Sequence, residues 1–406
     1  MGEGRISKQG RSFRNSGEGM LKRIILIFTI AIVLIYTCFS LCKKSDNFVH
    51  IGFATWGSES EMTILKPMLK EFEKQNKEIK VDLMHIPQNY FQKIHLLFAS
   101  NTAPDVIFIN NLYLPLYANA GVLEDLTNYE EFEYDRYFPK SIEAMKFKGK
   151  IYALPRDVSN LVFFYNKDLF KKLKVDYPAK DWTLDDLLNK AKKLTTKETF
   201  GISFEEKPLY YLPYMLYYGG WGLNDSANYF SSNVLNKSAN KKGLEFYADL
   251  RRKYHVAPKN VEIGSTTMAQ MFLQGKIGMY LSGRWLVPKF RQEAKFDWDV
   301  VEFPKKMFMD SSGWAIAKSS KNKPQAVKLI KFLASKDNSQ KFAQSGLIVP
   351  ARVDSANSKY FLDDQKPKNA KVFLNTAENS VPTPVTVNYN EILDDLNSKT
   401  EYIFNK

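Results

Sequence analysis

Short apolar strands alternate with amphipathic helices between residues 51 and 109, and this alternation most constrains the fold. Branched and alternating apolar residues predict strands at residues 51–55, 79–85 and 105–109. Residues 61–76 and 90–99 repeat apolar side chains three and four positions apart, which predicts two helices with one buried face each. Such a series predicts an α/β fold with a parallel sheet, whose ligand-binding loops follow the carboxyl ends of the strands.

Polar and aromatic residues follow the first and third of these strands. Trp56 comes directly after the first strand, with Glu59 and Glu61 close behind it, and Asn110 and Asn111 follow the third. Because these positions belong to ligand-facing loops, they are candidate binding residues. Each also has a structural interpretation: the tryptophan as core, the glutamates as the first turn of a helix, and the asparagines as turn residues.

The first 42 residues are predicted to direct export and to anchor the chain. Residues 24–41 carry no charge, follow two basic residues and precede a polar stretch, as in a secretory signal. Cys42 is the predicted lipidation site. An uncleaved anchor is the alternative, because a run of about 18 apolar residues can just span a bilayer. Residues 1–19 are interpreted as an extension upstream of the true start, and both interpretations place the rest of the chain outside the cytoplasm.

The net charge of +14 raises the question of nucleic-acid binding. Most of this charge is lysine scattered along polar helix faces, without a basic stripe interleaved with aromatic residues, so no nucleic-acid partner is expected. The two cysteines lie in the N-terminal segment, and the four histidines lack metal-ligand spacing. No disulfide framework, metal site or cofactor is therefore expected.

Several short blocks stand in a fixed order between residues 48 and 392. They lie at residues 104–106, 121–127, 149–155, 165–170, 182–187, 272–279 with 283–285, 314–317 and 350–352. In order and spacing these blocks resemble the bacterial ABC-transporter extracellular solute-binding proteins of the sugar-binding type, the group that includes the maltose-binding proteins. Each block alone is unspecific, but their shared order identifies the chain as a member of this family.

The resemblance implies an α/β, two-lobe periplasmic-binding-protein-like fold of type II, in which a hinge joins two mixed sheets flanked by helices. Residues 48–156 and 312–346 are expected to form lobe one, and residues 157–311 and 347–406 lobe two. The implied function is the solute-binding subunit of an ABC importer, which captures a sugar or oligosaccharide between the lobes. The expected partners are this carbohydrate, the transmembrane permease subunits and the membrane, and the protein is expected to be a monomer without catalytic activity.

A sugar site needs flat aromatic faces for the ring and polar groups for the hydroxyls. The further candidates that the resemblance places near the cleft are Arg156, Trp221, Trp285, Trp314, Arg352 and Tyr389. Trp285 stands where the family commonly stacks an aromatic residue on the sugar. Arg156 is also a candidate partner for an anionic substituent such as a uronate or a phosphate. The structural alternatives are core packing for the tryptophans and surface ion pairs for Arg284 and Arg352.

Other functional classes remain open at this point. A secreted glycosidase would need two carboxylates about 5–10 Å apart around the scissile bond, and the chain carries no recognised catalytic motif. A ligand sensor for a receptor would use the same binding chemistry as a transporter. Within the importers, a peptide, a polyamine or a phosphorylated polyol is the alternative ligand.

Overall fold

The predicted alternation of strands and helices is present in the computed structural model, which describes residue 2 and residues 25–32, 48–220, 235 and 237–405. Residues His50–Lys406 form one compact unit, and Met1–Val49 form another. The strands are β1 (Val49–Thr55), β2 (Ile79–His85), β3 (Val106–Asn110), β4 (Lys146–Phe147), β5 (Lys150–Ile151), β6 (Leu154–Asn166), β7 (Phe200–Ile202), β8 (Ile277–Gly283), β9 (Trp298–Val301), β10 (Phe308–Ile316), β11 (Val349–Pro350) and β12 (Val381–Pro382).

The helices cover the sheet and close the chain. They are α1 (25–32), α2 (Glu59–Gln75), α3 (Tyr90–Ala99), α4 (Leu114–Asn119), α5 (Pro139–Ala144), α6 (Lys167–Lys172), α7 (Leu184–Leu194), α8 (Pro208–Tyr217), α9 (Ser238–Arg252), α10 (Asn260–Ile263), α11 (Met268–Leu273), α12 (Val287–Glu293), α13 (Lys323–Leu333), α14 (Lys336–Gln344), α15 (Val353–Ala356), α16 (Lys371–Asn379) and α17 (Tyr389–Asn405). Short 3-10 turns lie at Glu130–Phe132, Tyr134–Arg136 and Arg284–Leu286.

A mixed sheet organises the unit, with the strand order β2-β1-β3-β10-β6-β8-β7. As predicted, β1 and β3 pair in parallel. Strand β6 is 13 residues long, and its first half pairs with β10 and β11. Its second half pairs with β8 and β9. Because β6 contacts four other strands, residues far apart in sequence meet at its middle, around residues 156–161.

Two hydrophobic clusters lie on either side of this middle part of β6. The first contains buried residues from Ala54 to Ala153 together with Ala315. The second contains buried residues from Leu161 to Phe308, with three more from α17. The predicted lobe limits at residues 156/157 and 311/312 fall inside β6 and β10, between the two clusters. The assignment of these residues to two moving lobes stays a prediction.

Helix ends follow their local sequence signals. The Thr183 hydroxyl accepts a hydrogen bond from Asp186 N, and the Asp186 carboxylate accepts one from Thr183 N in return, so the predicted N-cap of α7 is a capping box. Gly275 follows the end of α11 with φ +74°, as predicted for a helix C-terminal glycine. These caps fix the ends of elements far from any ligand and serve the scaffold.

The N-terminal unit is described only in part. Residues 25–32 of the predicted apolar segment are helical. In the part of the chain that the structure describes, no helix has both the length and the apolar character that a membrane crossing requires. Cys42 lies outside the described residues, so its lipidation stays a prediction.

Candidate functional site

A cavity of about 250 Å³ opens at the middle of β6, where β10, β11 and the end of β8 also arrive. The residues that line it are Trp56, Glu61, Arg156, Asp157, Val158, Ser159, Asn160, Arg284, Trp285, Ser312, Leu347, Ile348 and Val349. Two tryptophans, two arginines and two carboxylates thus share one concave wall. This mixture of aromatic and polar groups is typical of a small-molecule binding site.

Arg156 is locked by two carboxylates on this wall. Its Nε donates to Asp157 Oδ2 at 2.7 Å, and its Nη1 donates to Glu61 Oε1 at the start of α2. The guanidinium also lies 4.1 Å from the centre of the Phe108 ring. Burial alone would lower the pKa of Arg156, but the charges of Glu61 and Asp157 raise it. Since its fork is already bonded, Arg156 holds the two carboxylates in place on the cavity wall.

Trp56 contributes an aromatic surface from the loop after β1. Its ring packs against Phe108, Tyr90 and Phe91, with centroid distances of 4.3, 5.0 and 5.4 Å. The indole is only partly buried and faces the cavity, as the prediction for a loop after a strand requires. Because aromatic neighbours hold it, Trp56 offers a rigid flat surface to a ligand.

Trp285 supplies a second aromatic surface from the 3-10 turn after β8, and 38% of its surface is exposed. Its ring lies directly against Gly283, where a Cβ atom would stand 1.8 Å from the indole atom Cζ3. Only glycine at position 283 allows this placement. The Gly-Arg-Trp sequence therefore has a geometric function, which is to lay the indole flat at the edge of the cavity.

Arg284 does not form the surface ion pair that its sequence suggested. Its side chain is 3% exposed, and Nε, Nη1 and Nη2 have no hydrogen-bond partner among the described residues. The flat face of the guanidinium lies 3.9 Å from the centre of the Phe361 ring. Burial lowers the pKa of Arg284 to about 9, with the neighbouring Arg291 acting in the same direction.

Three sequence candidates are in the interior and do not line the cavity. Trp314 is 2% exposed within β10, and its ring faces Phe108 at 6.2 Å. Tyr389 is 3% exposed at the start of α17, and burial raises its pKa. Asn111 is fully buried, and its Oδ1 accepts a hydrogen bond from Ser311 N at 3.0 Å. Each of these side chains packs or bonds within the scaffold, so the structural interpretation is correct for them.

The remaining candidates have other surroundings. The Glu59 side chain is 84% exposed and does not line the cavity, which Glu61 does. Asn110 Oδ1 accepts from Tyr113 N at 3.2 Å in a turn after β3. Arg352 pairs with Asp354 at 3.0 Å and with Glu133 at 3.3 Å, outside the cavity wall. Trp221 lies outside the described residues, and its role stays a prediction.

Sequence reasoning missed several polar residues of the wall, including Ser159, Asn160 and Ser312. Asn160 Nδ2 donates to Phe373 O at 2.9 Å, whereas its Oδ1 has no partner in the described ranges. This oxygen is a free acceptor for a ligand hydroxyl. None of these residues belongs to a motif, and only the pairing of β6 with β10 and β8 brings them together. Among the residues described, no group of three or more His, Cys, Asp or Glu is placed to hold a metal ion.

Comparison with known proteins extends these observations. A family model described as a bacterial extracellular solute-binding protein matches residues 67–370. The chain is 25% identical to the galactooligosaccharide-binding protein of Bacillus subtilis (strain 168) over 353 residues, which is 83% of this chain and 80% of that protein.

Two solved structures give the same result at the level of the fold. An ABC substrate-binding protein from Listeria monocytogenes, solved in complex with cycloalternan, matches with a TM-score of 0.80 and 29% identity, covering 88% of this chain and 94% of that chain. The GacH receptor of Streptomyces glaucescens, solved without ligand and with acarbose, matches with a TM-score of 0.76 at 19% identity over 88% of this chain and 94% of that chain. These matches confirm the predicted fold class, and the family model covers most of residues 48–406. The chain belongs to the family of bacterial extracellular solute-binding proteins.

Proposed function

We propose that this protein is the solute-binding subunit of an ABC importer and captures a sugar or oligosaccharide in the cavity at the middle of β6. The observation that carries the proposal is the pair of accessible indoles, Trp56 and Trp285, on one wall with free or charged polar groups. The relatives named above are described as binding galactooligosaccharide, cycloalternan and acarbose, and this supports a carbohydrate ligand.

The chemistry of the wall suits a pyranose ring. The C–H faces of the sugar would stack on the indoles of Trp56 and Trp285, which lose little entropy on binding. The carboxylates of Glu61 and Asp157 would accept hydrogen bonds from ring hydroxyls, and charge makes such bonds strong. Asn160 Oδ1 adds a neutral acceptor. The relatives are binding proteins, and no catalytic role is assigned to the carboxylates.

Ligand capture would close a hinge at the centre of the sheet. Lobe one would consist of residues 48–156 and 312–346, and lobe two of residues 157–311 and 347–406. The separate hydrophobic clusters on the two sides of β6 support this division. The three proposed crossings lie in or next to β6, β10 and β11, which pair with one another. The permease would recognise the closed form, which the ligand favours by binding it more tightly than the open form.

The protein would act outside the cytoplasm as a monomer, held at the membrane by a lipid on Cys42. The extracellular family supports the location. Substitution of Cys42 by serine is expected to release the protein from isolated membranes, which immunoblotting of the fractions measures. Retention of the variant in the membrane fraction would favour the uncleaved anchor instead.

The proposal is tested by a thermal-shift panel of neutral and charged oligosaccharides, followed by calorimetric titration of each hit. Trp285→Ala is expected to weaken saccharide binding by about 2 kcal/mol or more, since buried aromatic contacts dominate small interfaces. Tyr402→Ala, which removes an exposed aromatic residue outside the cavity wall, serves as the control and is expected to bind normally. Unchanged affinity in folded Trp285→Ala would remove this residue from the site, and a shift only with peptides or polyamines would overturn the carbohydrate assignment.

A further inference from the structure

Arg284 is an exception among the buried arginines of the described chain. Arg156, Arg251 and Arg291 each donate to a carboxylate, at Glu61 or Asp157, at Glu206 and at Asp363. Arg284 is equally buried, but all three of its guanidinium nitrogens lack a hydrogen-bond partner among the described residues. The same side chain lines the cavity beside Trp285.

The surroundings of Arg284 leave its charge uncompensated. Asp363 is the nearby carboxylate that favours the charged form, but Asp363 already accepts from Arg291 Nη2 at 2.9 Å. Arg291 also donates to Lys366 O at 2.6 Å, so it is well held. Two guanidinium groups therefore share one carboxylate. The excess of one positive charge remains at the cavity wall.

Aromatic contacts hold the face of this guanidinium and leave its edge open. The Arg284 Cζ lies 3.9 Å from the centre of the Phe361 ring and 5.3 Å from that of Phe373. Cation–π contacts of this kind orient the plane but satisfy no N–H group. A buried charge without a partner is costly, and the edge of a guanidinium matches the two oxygens of a carboxylate or a phosphate.

We propose that Arg284 receives an anionic oxygen group carried by the saccharide ligand, a carboxylate or a phosphate ester, while Trp285 stacks on the same sugar unit. This inference rests on the proposed function and narrows its ligand class to acidic saccharides. Arg156, the sequence candidate for such a group, has its fork engaged by Glu61 and Asp157. Ligand binding would thus supply the counter-charge that the folded chain withholds from Arg284.

The test compares matched ligands by calorimetric titration. Neutral disaccharides of glucose, galactose and mannose are each paired with their uronate and their 6-phosphate. The wild-type protein is expected to bind one acidic member about ten- to a hundredfold more tightly than its neutral partner, as for charge-assisted hydrogen bonds. The preferred member, uronate or phosphate, identifies the anion. The preference should shrink as the salt concentration rises.

Arg284→Met removes the charge and keeps the length and the contact with Phe361. It is expected to abolish the preference for the acidic ligand, to bind the neutral one within about threefold of wild type, and to raise the melting temperature of the ligand-free protein. A purely structural arginine would lower that temperature when replaced. Arg284→Lys is expected to retain part of the preference, and Arg136→Met, at an exposed arginine, all of it.

Equal binding of neutral and acidic ligands by wild type, or an unchanged preference in Arg284→Met and Arg284→Lys, would overturn the inference while leaving the carbohydrate assignment intact. Failure of every saccharide to bind would overturn the proposed function and this inference together. Tighter binding of an acidic ligand that is lost in Arg284→Met supports both.

Discussion

At the residue scale, Arg156 and Arg284 show how neighbours decide the function of identical side chains. Both line the same cavity and both are buried. Arg156 has two carboxylates within hydrogen-bonding distance, and Arg284 has only aromatic faces. The first arginine is consequently part of the scaffold of the wall, and the second is available to a ligand.

Replacement of Arg156 by methionine is expected to destabilise the protein by about 3–5 kcal/mol, because Glu61 and Asp157 would remain buried together without their counter-charge. Urea unfolding followed by circular dichroism measures the change. Arg136→Met is the matched control: its side chain is 57% exposed and is expected to change stability by about 0.5 kcal/mol or less. A loss in Arg156→Met no larger than that of the control would contradict the structural role of Arg156.

At the element scale, strand ends position the aromatic surfaces of the site. Strand β8 ends at Gly283, and the following 3-10 turn carries Trp285 back over this glycine. The backbone of Gly283 has φ −103°, which any residue can adopt. The glycine is therefore required by the close approach of the indole and not by the backbone conformation.

Gly283→Ala is expected to displace the Trp285 ring and to lower saccharide affinity about as much as Trp285→Ala does, by about 2 kcal/mol. Calorimetric titration of both single variants and of the double variant measures this. Because both changes remove the same contact, the double variant is expected to lose little more than either single variant. Additive losses would show that Gly283 acts on binding by another route.

At the scale of the whole molecule, β6 is the element through which the proposed lobes would communicate. It pairs with β10 and β11 in its first half and with β8 and β9 in its second. The cavity opens where these pairings change over, near Asp157 and Asn160. A ligand in this position contacts residues from both hydrophobic clusters' sides of the sheet and can favour one arrangement of them.

Binding of the identified saccharide is expected to reduce the radius of gyration in small-angle X-ray scattering, because closure makes the protein more compact. At a ligand concentration of about 100 Kd, binding is also expected to stabilise the fold by about 2.7 kcal/mol. Trp285→Ala at the same ligand concentration is the control, with smaller changes in both. Saturated binding without any change in scattering would contradict hinge closure.

The sequence by itself determined the class of fold and the ends of several elements. Periods of two and of about 3.6 residues are local properties, so the strands and helices between residues 51 and 109 were predictable, as was the capping box of α7. Trp56 and Trp285 were found because each follows a strand, where the chain turns toward a ligand.

Only the tertiary structure decided which of the polar candidates meet. Glu59 and Glu61 are two positions apart on one helix, so they point in different directions, and Glu61 alone reaches Arg156. Trp314 is in the interior because its strand, β10, is flanked by neighbours on both edges. The isolation of Arg284 depends on Asp363 being taken by Arg291, a contact across 72 positions of sequence. Such long-range pairings leave no periodic pattern in the chain, so burial and charge compensation at the site emerge only when the strands have assembled.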